Sequence, residues 1–301
     1  MALKLAYLPD PRKLGVEAGY PPPALRDLLS AHPDLVLTTI TPAQLLSGAL
    51  DDSFALLCLP GGFAPNYASA LGAEGARLIR SFVDRGGGYV GICAGAFYAT
   101  TACLSLLDVR LLDPHRWARG SAACQIRFSP LGAAALGALG PPSLVTVRYA
   151  NGPLLQPGGG AYTLAHFATE VAAPRLGGAA HFPPIMHGSP AVVLGRCGRG
   201  MVALVSPHIE DGADERARTP LCNLFRLCAR ASGYSQLLLR GGGLAALERR
   251  AREEEEGRTP RKRAGGADDE EPRRAAINVL PALSQWTDRF VEVDSGETVS
   301  T

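Results

Sequence analysis

Gly88-Tyr89-Val90-Gly91-Ile92-Cys93-Ala94-Gly95-Ala96 is the stretch from which the fold can be read. Gly88–Ile92 is a short apolar run of the kind a buried strand shows, and helical chain is expected to begin after Cys93. A cysteine at such a strand-to-helix junction has the form of a nucleophile elbow, with a thiol where hydrolases carry a serine. The turn is sharp and strained. Side chains two residues before and after its apex would collide, and Gly91 and Gly95 omit them. The free N–H groups of a helix start favour a thiolate. A buried cysteine at a tight strand–helix turn leaves the same five-residue pattern, so the pattern alone does not decide between the two.

Moving outward, short apolar runs alternate with longer helical patterns, as in a mostly parallel sheet covered on both faces. Strands are expected at Leu3–Leu8, Asp34–Ile40, Phe54–Leu59, Gly88–Ile92, Gln125–Phe128 and Leu144–Tyr149. Helices are expected at Pro23–Leu29, Pro42–Leu50, Gly72–Val83 and Pro220–Ala231. In Gly72–Val83 the apolar residues Ala76, Leu78, Ile79, Phe82 and Val83 recur at intervals of three and four, and Gly86–Gly88 end the helix. Ala191–Arg196 and Met201–Ser206 flank Cys197-Gly198-Arg199-Gly200, which reads as a hairpin.

Two further pieces fall at strand ends, where α/β sheets place their sites. His208-Ile209-Glu210 follows the last strand. Residues two apart in extended chain point the same way, so the carboxylate can orient the imidazole. Leu59-Pro60-Gly61-Gly62 follows another strand. It offers backbone N–H groups for an oxyanion hole, with the Ala94 N–H as a further donor. Asn151 can donate and accept, and reads either as a cavity residue or as a turn asparagine.

Length and composition set the outer bounds. The chain has 301 residues, 47% of them hydrophobic and 19% charged, and a formal net charge of +2. A chain of this size buries a core without staples. The balance supplies no basic field for nucleic acid. The seven cysteines are odd in number and none is spaced Cys-x-x-Cys, so reduced core thiols (Cys58, Cys103, Cys222 and Cys228 among them) and a cytoplasmic location are expected. No apolar run reaches the roughly 18 residues of a membrane span, so no membrane partner is expected. His181 and His187 lack a third ligand at recognisable spacing, and neither a metal nor a cofactor is expected. Gly158-Gly159-Gly160 reads as a loop without phosphate-cradle chemistry.

Domain boundaries are drawn at 1–235 for the α/β unit, 236–276 for a charged disordered linker and 277–301 for a short apolar segment and tail. Arg249–Arg274 holds nine cations and eight anions, too few apolar groups to fold alone. Leu244–Glu256 is compatible with an exposed helix. Arg261-Lys262-Arg263 reads as a solvated charge run rather than a nuclear signal. Ile277–Val293, with Trp286 and Phe290, is expected to dock onto the main unit or onto a protein partner, since a large apolar group is costly to leave in water.

Gly91-Ile92-Cys93-Ala94-Gly95, Leu59-Pro60-Gly61-Gly62 and His208-Ile209-Glu210 together resemble the class I glutamine amidotransferase-like superfamily. More narrowly, Leu59–Gly62 with Tyr67, Gly86–Ala99, Tyr149-Ala150-Asn151-Gly152-Pro153 and Ser206–Glu210 are similar to the biotin-protein ligase N-terminal domain family. The resemblance runs from Leu3 to Ala231. It implies an α/β, flavodoxin-like three-layer sandwich and a Cys–His–Glu triad. In it Cys93 is the nucleophile, His208 the base and Glu210 the orienter, with Tyr67 and Asn151 binding a small-molecule substrate or ligand. There are departures. Phe97-Tyr98 follow Ala96 where glutamine-using amidotransferases carry His-Gln, which argues against glutaminase activity. No lysine occurs between Lys13 and Lys262 to serve a ligase site, so Gly195–Gly200 reads as a hairpin turn and not as a biotin loop. The expected function is a cysteine-dependent hydrolase or amidase-like domain. The alternatives are a catalytically silent ligand- or protein-binding module and a redox sensor using Cys93.

Overall fold

The computed structural model describes residues 2–13, 23–114, 119–137, 144–171, 184–212 and 214–229. The charged linker, Ile277–Val293, Arg261–Arg263, Leu244–Glu256 and His181 lie outside the described residues.

Among the described residues, eleven strands and six helices follow in chain order: β1 (Leu3–Tyr7), α1 (Pro23–Ser30), β2 (Leu35–Thr39), α2 (Pro42–Leu46), β3 (Leu56–Leu59), α3 (Ala64–Asp84), β4 (Gly88–Ile92), α4 (Ala94–Ala99), β5 (Val109–Leu111), β6 (Ser121–Phe128), α5 (Pro130–Leu136), β7 (Leu144–Ala150), β8 (Leu155–Pro157), β9 (Ala161–Phe167), β10 (Pro190–Cys197), β11 (Gly200–Val205) and α6 (Arg218–Cys228). Nine strands form one sheet in the order β2-β1-β3-β4-β11-β10-β9-β6-β7, and β5 pairs with β8 separately.

The five strands from β2 to β11 are parallel to their neighbours. From β11 onward every pairing is antiparallel. Burial explains the change. β3, β4 and β11 are buried at every position, as strands covered on both faces must be. β6 and β7 instead alternate, burying Cys124, Ile126 and Phe128 and then Val145, Val147 and Tyr149, the pattern of a sheet with one wet face.

Alternate residues of the parallel strands enter two cores. Leu56, Cys58, Val90, Ile92, Ala203 and Val205 join side chains of α1, α5 and α6 on one face. Leu57, Leu59, Tyr89, Val202 and Leu204 join those of α2, α3 and α4 on the other. The three layers follow from this period of two. Cys58, Cys103, Cys222 and Cys228 are all buried core thiols.

Three helices differ from their expected spans by more than one residue. α2 opens with a capping box in which Thr41 and Gln44 exchange side-chain and backbone bonds of 3.2 and 2.8 Å, but it ends at Leu46 because Gly48 takes φ +92°. α3 begins at Ala64 rather than Gly72. Gly72, at φ +56° and ψ −163°, is a kink inside it, which is why the regular apolar spacing starts only after that glycine. α6 runs over Arg218–Cys228, earlier than Pro220–Ala231. The β10–β11 hairpin closes through Gly198 at φ +55°. Among the described residues no helix is long and apolar enough to cross a membrane.

Candidate active site

Cys93 sits at the end of β4 with φ +52° and ψ −105°, and its N–H bonds to the Val205 carbonyl at 2.8 Å, extending the β4–β11 ladder. A non-glycine residue in that conformation is strained and persists only where its surroundings hold it. The reason for the flanking glycines is visible. A β-carbon on Gly91 would strike the Gly95 carbonyl, and one on Gly95 would strike the Leu59 carbonyl. The Cys93 thiol is buried and lies 3.4 Å from the Ala150 carbonyl oxygen, which accepts its S–H.

His208 arrives from β11. Its backbone is fixed by a bridge to Arg148 of β7, with the His208 N–H donating to the Arg148 carbonyl at 2.7 Å. The ring Nδ1 stands 2.8 Å from Glu210 Oε1, and Cys93 is close enough to the ring to raise its pKa. Glu210 is 5% exposed, and its Oε2 has no hydrogen-bond partner among the described residues. Burial pulls the His208 pKa down. The hydrogen bonds and charges of Cys93 and Glu210 outweigh burial and push it up to about 10. That arrangement favours the protonated ring.

The Pro60-Gly61-Gly62 loop is cross-braced. The Pro60 carbonyl accepts from the Gly95 N–H at 3.2 Å and from the Tyr67 hydroxyl at 3.2 Å. Gly61 packs flat against the His208 ring, and Gly62 against Asp10. Among the described residues no acceptor claims the N–H of Gly62 or of Ala94. Both residues line a cavity of ≈ 170 Å³ together with Cys93. Gly61 stays beneath the imidazole.

Asn151 is both of the things its sequence allowed. It takes φ +52° at a turn, accepts the Gly120 N–H on Oδ1 at 2.7 Å, and lines the cavity. Tyr67 is placed differently from the expectation. It is fully buried, stacks near Tyr98 with ring centres 6.0 Å apart and spends its hydroxyl on Pro60. Its contact is therefore with the loop and not with the cavity. Phe97 lines the cavity and Tyr98 is in the core.

Two charged cavity residues escaped the sequence reading, Asp113 and Arg119. Arg119 is 1% exposed, donating to Glu170 Oε2 at 3.1 Å and to the Val171 carbonyl at 3.3 Å. Its partners lie some fifty residues away, so no local spacing could have announced it. Among the described residues no group of three His, Cys, Asp or Glu side chains could hold a metal.

Residues 23–108 match the family model described as biotin-protein ligase, N terminal. A segment of 61 residues is 39% identical to the biotin–protein ligase of Schizosaccharomyces pombe, covering 20% of this chain and 9% of that protein, so the match spans under a tenth of the relative's length. Among solved structures, PurLQS from Thermotoga maritima aligns with a TM-score of 0.51 at 17% identity, over 75% of this chain and 98% of that one. A glutamine amidotransferase aligns with a TM-score of 0.48 at 16% identity, over 74% and 98%. Residues 23–108 are thus similar in sequence to the biotin-protein ligase N-terminal family, and the α/β unit shares its fold with the PurLQS structure.

Proposed function

We propose that the α/β unit is a cysteine-dependent hydrolase or amidase-like domain acting on a small molecule that carries an acyl or amide carbon. The observation that supports it most is the His208 ring, whose Nδ1 stands 2.8 Å from Glu210 Oε1 and whose pKa is raised by the neighbouring Cys93. These are three residues from two strand ends with nucleophile, base and orienter chemistry.

In this reading the Cys93 sulfur attacks the carbonyl carbon, and the C=O π electrons move onto oxygen. The Gly62 and Ala94 amides hold that oxyanion. His208 Nε2 gives its proton to the leaving nitrogen or oxygen as the C–N or C–O bond breaks, leaving a thioester. Water then attacks the thioester, His208 takes its proton, and the acid departs with the Cys93 thiolate restored. Glu210 holds the ring on Nδ1 throughout. Asn151, with Oδ1 engaged by Gly120, has its amide N–H₂ for a substrate acceptor. Tyr67 braces the loop that carries the amides.

A second reading, a silent ligand- or protein-binding module, is favoured by Phe97, an apolar wall where glutamine-using enzymes carry a polar pair. An electrophilic thiol probe separates the two. Fast, selective labelling of Cys93 near neutral pH, lost in Cys93→Ala with the fold intact, supports the enzyme. Labelling no faster than that of Cys197, the one half-exposed thiol among the described residues, supports the module. Reversible oxidation of Cys93 by mild peroxide would be required of a redox sensor.

A further inference from the structure

We propose that Asp10 is a positioning residue for the oxyanion-binding loop, a carboxylate delivered from the end of β1 to hold Gly62 and Phe63 in place. The proposal rests on the reading of Cys93 as an acyl-accepting nucleophile.

Asp10 is 1% exposed, and all of its hydrogen bonds use it as an acceptor. Oδ2 takes the Phe63 N–H at 2.8 Å. The Asn66 side-chain amide donates to both oxygens, at 2.9 and 3.1 Å. Oδ1 also takes the Arg12 N–H at 3.0 Å. A β-carbon on Gly62 would fall within 2.5 Å of Oδ2, so the backbone and the carboxylate are in direct contact there.

A buried carboxylate is costly to desolvate unless its lone pairs are met. Here the donors that meet them come chiefly from the start of α3, the Phe63 N–H and the Asn66 side chain. Phe63 is the N-cap of α3 and has no side-chain cap of its own; Asp10 supplies, from beyond the end of β1, the acceptor for the N-cap N–H that an N3 Glu or Gln supplies in a capping box. Anchoring the Phe63 N–H fixes the Gly62–Phe63 peptide plane. Together with the Pro60 braces, it pins both ends of the Gly61-Gly62 turn. The Gly62 amide that faces the cavity is therefore set by a residue that does not itself line the cavity. Donors to a developing oxyanion act only when preorganised to within a fraction of an ångström.

The chemistry of two probes separates this role from general support of the fold. p-Nitrophenyl acetate acylates a thiol through a tetrahedral oxyanion and releases p-nitrophenolate. Iodoacetamide alkylates it by direct displacement of iodide, with no oxyanion formed. Asp10→Asn places an N–H₂ group where Asn66 and Phe63 both present donors. It is expected to slow the acetylation of Cys93 by about tenfold or more and to leave its alkylation rate within about twofold. In Asp10→Asn/Asn66→Asp the side-chain donor and acceptor are exchanged, and acetylation is expected to recover. If Asp10→Asn does not fold, Asn66→Ala, which keeps the Asp10–Phe63 bond but removes the brace on both oxygens, is read in the same two assays and is expected to show the same selective loss. Equal loss of both reactions, or loss of neither, overturns the proposal. Wild-type protein that is not acetylated at Cys93 at all overturns the underlying reading, a result told apart from the first because it needs no variant.

Discussion

Gly61 lies so close beneath the His208 ring that no β-carbon fits between them, the nearest ring atom being Cε1. The glycine of the loop after β3 is thus a seat for the imidazole, and the ring's position over Cys93 depends on a side chain being absent there. Gly61→Ala pushes the ring away. An ångström of misplacement is worth about 10²-fold in rate, so the acylation of Cys93 by p-nitrophenyl acetate is expected to fall by about that factor, while far-ultraviolet circular dichroism stays that of the wild type.

Replacing Glu210 by Gln keeps the shape and removes the charge. The His208 pKa, raised by Cys93 and by Glu210, is expected to drop, and the acylation rate to fall by on the order of 10²–10⁴-fold. Titration of the His208 ring by NMR in Glu210→Gln reads the first effect and stopped-flow release of p-nitrophenolate the second. An unchanged rate would remove Glu210 from the mechanism.

The pH dependence of stability has a defined sign. The His208 pKa lies near 10 in the folded chain and 6.5 is the ordinary value. The folded state therefore binds the proton more tightly, and the contribution of the ring is complete below about 6.5 and lost progressively as pH rises towards 10. The difference in urea midpoint between wild type and His208→Gln is expected to shrink over that interval. A difference that widened with pH would reverse the assignment.

The backbone at Cys93 carries strain that a glycine relieves. At φ +52° a β-carbon costs on the order of 1 kcal/mol. Cys93→Gly is therefore expected to be more stable than Cys93→Ala by about that amount in urea denaturation, with both variants inert to thiol probes.

Far from the site, Arg226 of α6 grips Asp34 through bonds of 2.7 and 2.8 Å. The hydrogen bonds to Arg226 hold the Asp34 carboxyl below its usual range. Its contribution is present above the unfolded value and lost as pH falls. The carboxylate is 44% exposed, so screening limits the effect, and Asp34→Asn is expected to cost under about 1 kcal/mol near neutral pH.

The parts of the molecule legible in sequence are those whose signal is local. Gly88–Gly95 announced strand, elbow and helix because steric exclusion leaves only glycine at Gly91 and Gly95. The β10–β11 hairpin was marked by glycines between two apolar runs. β9 was not foreseen. Ala161–Phe167 mixes Tyr162, Thr163 and His166 with apolar residues, and its burial is irregular, so neither a run nor a clean alternation stands out. α5, Pro-Leu-Gly-Ala-Ala-Ala-Leu, owes its place to Gly132, whose missing side chain lets the helix lie against the Leu164 carbonyl. Asp10 carried no local signal, since its partners Phe63 and Asn66 come more than fifty residues later. Arg119 was hidden for the same reason.

The change of strand direction at β11 divides labour along the chain. The thiol, the imidazole and the loop amides come from the ends of β3, β4 and β11, inside the parallel block, whereas Ala150 and Asn151 close the cavity from the end of β7, at the outermost edge of the antiparallel wing. That wing has a solvated face and tolerates drift that the doubly covered block does not. Descendants of this architecture can therefore exchange what they admit while leaving how they react untouched, and a designer seeking new selectivity would graft at the rim after Tyr149 and leave the elbow alone.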